Sequence, residues 1–184
     1  MHTRTAYAAL LATVALTAGC TSTSHDDAKP STTPTTKPAT ASPTGPLTLG
    51  APSAWHGDGY AGTTTALTYT QPVTGIPAND GLGVKDGVWA VAEVKVCNSA
   101  GSSDITVSQF PWQLGYADGT RIKVTGLNGG DLPKPEFPTD DTTVIAGDCL
   151  RGKIPFYVPR TSRPDRIIYA PEGGDSAVWG VPGK

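Results

Sequence analysis

"GVWAVAEVKVCNSAGSS", Gly87 to Ser103, decides the fold class. Val88, Ala90, Ala92, Val94 and Val96 fall on one face of this stretch. Trp89, Val91, Glu93, Lys95 and Cys97 fall on the other. A period of two is that of a β-strand, and the wholly apolar set marks its core face.

The same reading extends outward. "GDCLRGKIPFYVP" (Gly147 to Pro159) turns Leu150, Gly152, Ile154, Phe156 and Val158 inward. Cys149, Arg151, Lys153, Pro155 and Tyr157 point out. Pro155 has no N–H to give a ladder, so one edge there is unpaired or bulged. "GTTTALTYTQP" sets Thr65, Leu67 and Tyr69 against Thr64, Ala66 and Thr68, and Pro72 stops it. "PWQLGYADGTRIKVTG" reads as a hairpin turning at Asp118-Gly119, with Trp112, Leu114 and Tyr116 on one face and Ile122 and Val124 returning. "DRIIYAP" and "SAVWGVP" close the chain. No segment keeps a helical period over a dozen residues. The expected fold class is all-β: an immunoglobulin-like antiparallel β-sandwich spanning 47–184, behind a disordered tether.

The N-terminal portion reads as an address. Met1 to Arg4 is a short basic region, and "AYAALLATVAL" is an apolar run too short to span a bilayer as a helix. "TAGC" follows, with small Ala18 and Gly19 before Cys20. This resembles the lipobox of bacterial lipoproteins, although the place three before the cysteine, usually Leu, holds Thr17. Residues 1–19 are thus expected to be a lipoprotein signal peptide, with Cys20 lipidated at the new N-terminus; the alternative is an ordinary cleaved signal. Two or more acyl chains suffice for stable membrane anchoring. Residues 20–46 are rich in Ser, Thr and Pro and bury no apolar surface. They read as a spacer, or as a tract for O-linked sugar.

The remaining 138 residues suit one domain. The chain carries 14 basic and 16 acidic residues, and loss of Arg4 with the signal takes the net charge from -2 to -3. No basic stripe exists, which argues against nucleic acid.

Of three cysteines, lipidation of Cys20 leaves Cys97 and Cys149 as an even pair. Both lie on the outward faces of their strands, so the expected bond is a cross-strand disulfide rather than a bridge through the core. Antiparallel pairing with Cys97 opposite Cys149 sets Glu93 against Lys153, which is favourable, and Lys95 against Arg151, which is not. A redox-active or metal-binding pair is the alternative, without a Cys-x-x-Cys motif to support it.

"VWAVAEVKVCN", "WQLGYADGTRI" and "GDCLRGKIPFYVP" together resemble the telokin-like, immunoglobulin-fold domain of unknown function. The resemblance runs from about Leu47 to Val181. It implies the fold and a place on secreted or lipid-anchored proteins of Gram-positive, here actinobacterial, cells. It brings no catalytic residues.

The residues themselves offer little chemistry. Gly-x-Ser-x-Gly is absent, and His56 in "SAWHGDGY" is the sole imidazole beyond the tether. A hydrolase using His56 is the weakest reading. His56 and Asp58 have no third metal ligand in view, and the turn acids lack calcium-loop spacing. The expectation is therefore no enzyme, no cofactor and no metal. "TGLNGGDLPKPEFPTDD", Thr125 to Asp141, is a long connection without strand pattern. Leu132, Lys134, Glu136 and Phe137 in it form a candidate contact arm; alternatively Leu132 and Phe137 fold back over an open end of the sandwich. Trp55 and Tyr60 are a second candidate binding pair, or else core plugs. The expected function is a binding or accessory module for a protein or envelope component. The competing expectation is a small-molecule or metal-binding lipoprotein serving a transporter or sensor.

Overall fold

The computed structural model describes residues 45–183. The signal region, Cys20 and nearly all of the tether lie outside the described residues. Ten strands follow in order: β1 (Ser53–Gly57), β2 (Tyr60–Thr70), β3 (Gly87–Asn98), β4 (Ile105–Val107), β5 (Trp112–Gly115), β6 (Arg121–Lys123), β7 (Thr142–Val144), β8 (Cys149–Pro159), β9 (Arg166–Tyr169) and β10 (Ala177–Gly180). A single 3-10 turn, Asp80–Leu82, is the only helical element among the described residues. One sheet has the order β1-β2-β3-β8, a second β10-β9-β5-β6, and β4 pairs with β7 in a small third. All strand pairings are antiparallel.

The alternation of β3 and β8 fixes the core. Val94, Ile154, Phe156 and Val158 are fully buried, against Trp112, Leu114, Ile167 and Trp179 of the second sheet. The Trp112 and Trp179 rings stack at 5.9 Å, and the Trp179 indole donates to the Ala51 carbonyl at 2.8 Å. β2 departs from simple alternation. A bulge between Ala66 and Thr68 shifts the register by one residue. Thr64, Ala66 and Tyr69 then face the core side of β3, opposite Val96, Val94 and Ala92. A bulge inserts one unpaired residue and reverses the facing beyond it, which period-2 reading cannot anticipate.

The β3–β8 ladder runs from Gly87↔Pro159 to Cys97↔Cys149, so Glu93 lies opposite Lys153 and Lys95 opposite Arg151. Cys97 and Cys149 are disulfide-bonded across it. The outer face of the same ladder is not bare. Trp89, Tyr157 and Leu132 form a second buried cluster, covered by Val73, Ile76, Leu82 and Val84. The Trp89 indole donates to the Pro77 carbonyl at 2.7 Å, and the Tyr157 hydroxyl accepts from the Asn79 N–H at 3.0 Å. These bonds tie the 71–85 segment down.

The long connection from Thr125 to Asp141 is not a projecting arm. Leu132 is 8% exposed and Phe137 0%. Residues 135–137 lie along the free edge of β8: the Lys153 N–H donates to the Pro135 carbonyl at 2.9 Å, and the Phe137 N–H to the Lys153 carbonyl at 3.0 Å. Pro155 has its missing donor on that same edge. The reason for the inward turn is apolar burial: Phe137 joins the main core and Leu132 the outer cluster. Gly152 makes room, since a Cβ there would run into the Phe137 backbone.

Candidate functional site

Two hollows stand out among the described residues. The first is a cleft of about 260 Å³ at the end of the sandwich where β1 turns into β2. Trp55, His56 and Tyr60 form one wall. Val96, Ile105 and Val107 line it from the core side, and Tyr169, Pro171 and Asp175 from the β9–β10 connection.

Each wall has a local cause. The Trp55 indole N–H donates to Thr64 Oγ1 at 3.0 Å, across the β1–β2 pair. Gly62 permits this placement, because a Cβ there would collide with the indole and with the Cys97 carbonyl. Tyr60 begins β2 beyond the tight turn at Gly59 (φ 79°) and is 47% exposed. Tyr169 ends β9; its ring centroid is 4.8 Å from that of Trp112, and burial pushes its phenol above the usual range, so it is neutral at physiological pH. The Pro111 carbonyl accepts from the Ala170 N–H at 2.9 Å, which ties the entry to β5 to the end of β9. The disulfide staples β3 to β8 one residue beyond Val96.

The second hollow, about 460 Å³, lies beside β8 and is lined by Asn128, Glu136, Phe137, Thr139, Asp140 and Arg151 among others. Glu136 within it is engaged by its own loop. Glu136 Oε1 accepts from the Gly129 N–H at 2.8 Å and from Lys134 Nζ at 2.7 Å. Asn128 Nδ2 donates to Thr139 Oγ1 at 2.9 Å. The hydrogen bond from Lys134, and after it the one from the Gly129 N–H, hold the Glu136 carboxyl below the ordinary carboxylate range against desolvation. This is a structural network that fixes the loop.

The structure therefore separates the six expected binding residues. Trp55 and Tyr60 meet in the first cleft. Glu136 and Phe137 line the second hollow, while Leu132 is buried and Lys134 is exposed at the loop surface. Tyr169, Pro171 and Asp175 escaped the sequence reading. "DRIIYAP" carries only a strand signal, and nothing local says that its end meets the β1–β2 turn. Among the described residues, no group of three or more His, Cys, Asp or Glu is placed to hold a metal ion. No helix there is long and apolar enough to cross a membrane.

None of the curated proteins matches the chain. Among solved structures it is similar to MPT63, a secreted protein from Mycobacterium tuberculosis, at 19% identity and a TM-score of 0.56, over 75% of this chain and 99% of that one. It is also similar to the yjhA protein from Bacillus subtilis, at 14% identity and a TM-score of 0.52, over 74% and 99%. At such identities the likeness is one of fold, a β-sandwich. The family described as "Domain of unknown function (DUF4352)" matches residues 65–178, from within β2 into β10, and the chain belongs to that family.

Proposed function

We propose that this protein is an extracytoplasmic, lipid-anchored binding module that engages a protein or cell-envelope component through the Trp55–Tyr60–Tyr169 cleft. The observation that carries the reading is the composition of that cleft. Exposed and half-buried aromatics with an apolar lining and few polar groups are the recurring make-up of binding sites. The N-terminal sequence supports the anchor: an apolar run, "TAGC" and a Ser/Thr/Pro tract. On this reading the sandwich is a telokin-like immunoglobulin domain anchored to an actinobacterial membrane through Cys20 and spaced from it by the Ser/Thr/Pro tract. At about 260 Å³ the cleft is small for a buried metabolite and better sized for a few side chains of a partner.

The test is cross-linking on intact cells with mass spectrometry. Wild type is compared with Trp55→Ala/Tyr60→Ala and with Cys20→Ala. A partner captured by wild type and lost in both variants is the expected result. A partner retained by Trp55→Ala/Tyr60→Ala, in protein of unchanged melting temperature, places binding elsewhere.

A further inference from the structure

We infer that the cleft is a strand-addition site, taking an extended peptide segment with basic side chains from a partner protein. The inference rests on the cleft being the binding surface.

The first observation is which residues line it. Trp55, His56 and Gly57 of β1 are consecutive, and so are Ile105, Thr106 and Val107 of β4. Successive side chains of a strand point to opposite faces. A hollow lined by consecutive strand residues therefore reaches the strand's main chain along its edge, besides the core-side Val96, Ile105 and Val107. β1 pairs only with β2, and β4 only with β7. Each has one edge that no strand covers among the described residues, and both border the same cleft.

The second observation is that other edges of the fold are blunted. Arg121 and Lys123 on β6 put exposed charge at one. Pro155 and the 135–137 segment cover that of β8. Leu47 covers that of β10, its N–H donating to the Val178 carbonyl and its carbonyl accepting from the Gly180 N–H, both at 2.8 Å. Charge, proline and covering segments are the usual protections of sheet edges. The edges at the cleft carry none: their residues are Trp55-His56-Gly57 and Ile105-Thr106-Val107, without Lys, Arg or Pro. An added strand gains affinity from main-chain hydrogen bonds and specificity from pockets for alternate side chains. Here those pockets are aromatic.

The third observation is charge. Asp175 lines the cleft, and no Lys or Arg does. Glu172 lies in the same β9–β10 connection and Asp58 at the β1–β2 turn. An ammonium held in the cleft meets the three aromatic side chains of Trp55, Tyr60 and Tyr169 and the Asp175 carboxylate.

The experiment uses the full chain and three synthetic peptides of about eight residues. One alternates Lys with Val and Thr; one replaces each Lys by Glu; one keeps the Lys but N-methylates alternate amides. Binding is read by NMR titration and amide hydrogen exchange. The Lys peptide is expected to bind and to slow exchange at β1 and β4 amides, the Glu peptide to bind at least about tenfold more weakly, and the N-methyl peptide not to bind. Equal binding of the N-methyl peptide overturns strand addition, while leaving the cleft as a peptide surface. Slowed exchange without peptide that grows with protein concentration makes a second copy the occupant and overturns the inference. No binding of the Lys peptide also overturns it. Retention of a cell-derived partner that still depends on Trp55 and Tyr60 would separate this failure from failure of the binding-module reading.

Discussion

Arg151 Nε lies 2.9 Å from Glu93 Oε1, across the diagonal of the β3–β8 ladder. The residue directly opposite Arg151 is Lys95, and the one opposite Glu93 is Lys153. The like-charged pair is thus relieved by a one-step reach, and Lys153 Nζ turns instead to the Lys134 carbonyl at 2.7 Å. Glu93 neutralises a strip that otherwise holds three cations. Glu93→Gln is expected to lower stability by under about 1 kcal/mol, as for exposed pairs. The loss should shrink in 1 M salt, where the Debye length is about 3 Å. Urea unfolding at low and high salt checks this. An equal loss at both would assign Glu93 a packing role instead.

The disulfide closes the end of the sandwich that carries the cleft. Its partners are 52 residues apart. The chain-entropy relation gives roughly 4 kcal/mol for a loop of that size. Cys97→Ala/Cys149→Ala should therefore melt roughly 10 °C lower in thermal unfolding. It should also broaden the Val96 and Tyr60 resonances, since the staple sits beside both strands that bear them. An unchanged melting temperature would mean that the native bond does not form.

Much of this architecture was legible, for a physical reason. β3 and β8 are long and alternate clearly, so Val94, Ile154 and Phe156 could be placed inside and the Cys97–Cys149 bond inferred from cysteine parity and strand facing, while charge at that register pointed both ways. The elements that resisted reading depend on contacts distant in sequence. Leu67 gives no local sign of a bulge. Leu132 and Phe137 sit among prolines and charges, and only the open edge of β8 shows why they turn inward. The cleft was half legible. Trp55 and Tyr60 are conspicuous in a glycine-rich turn, whereas Tyr169 and Asp175 reach them from over a hundred residues away.

Gly152 and Phe137 form one device. The glycine lies on the core face of β8, where a Cβ would come within 2.7 Å of the Phe137 Cα and 2.5 Å of its nitrogen. The obstacle is backbone, which cannot swing aside like a side chain. Gly152→Ala is expected to cost about 1–3 kcal/mol, the usual range for overpacking. Phe137→Ala should cost about 3–5 kcal/mol by leaving a core cavity. Lys134→Ala, at an exposed position, should cost under about 1 kcal/mol. Denaturant midpoints of the three variants give the order. A Phe137→Ala loss as small as that of Lys134→Ala would contradict the buried position of the loop.

Acid should loosen the same loop. Glu136 accepts from Lys134 Nζ and from the Gly129 N–H, and these hold its carboxyl below the ordinary range against the opposing effect of desolvation. A group whose folded pKa is depressed binds fewer protons in the folded than in the unfolded state. Its stabilisation is present above the unfolded value of about 4.3 and is lost as pH falls through the lower folded value. Asp118 and Asp165 are depressed as well, by the Thr120 N–H and by Arg166 respectively, so the whole domain weakens in acid. The share due to Glu136 is isolated by a difference. Glu136→Gln keeps the shape but not the charge, so it should be less stable than wild type at pH 7 and match its pH dependence poorly down to about pH 4. Below that the two unfolding curves should converge, because wild type then carries a protonated carboxyl in the same place. A gap that persists unchanged to pH 3 would assign the effect to lost hydrogen-bond geometry and not to the charge.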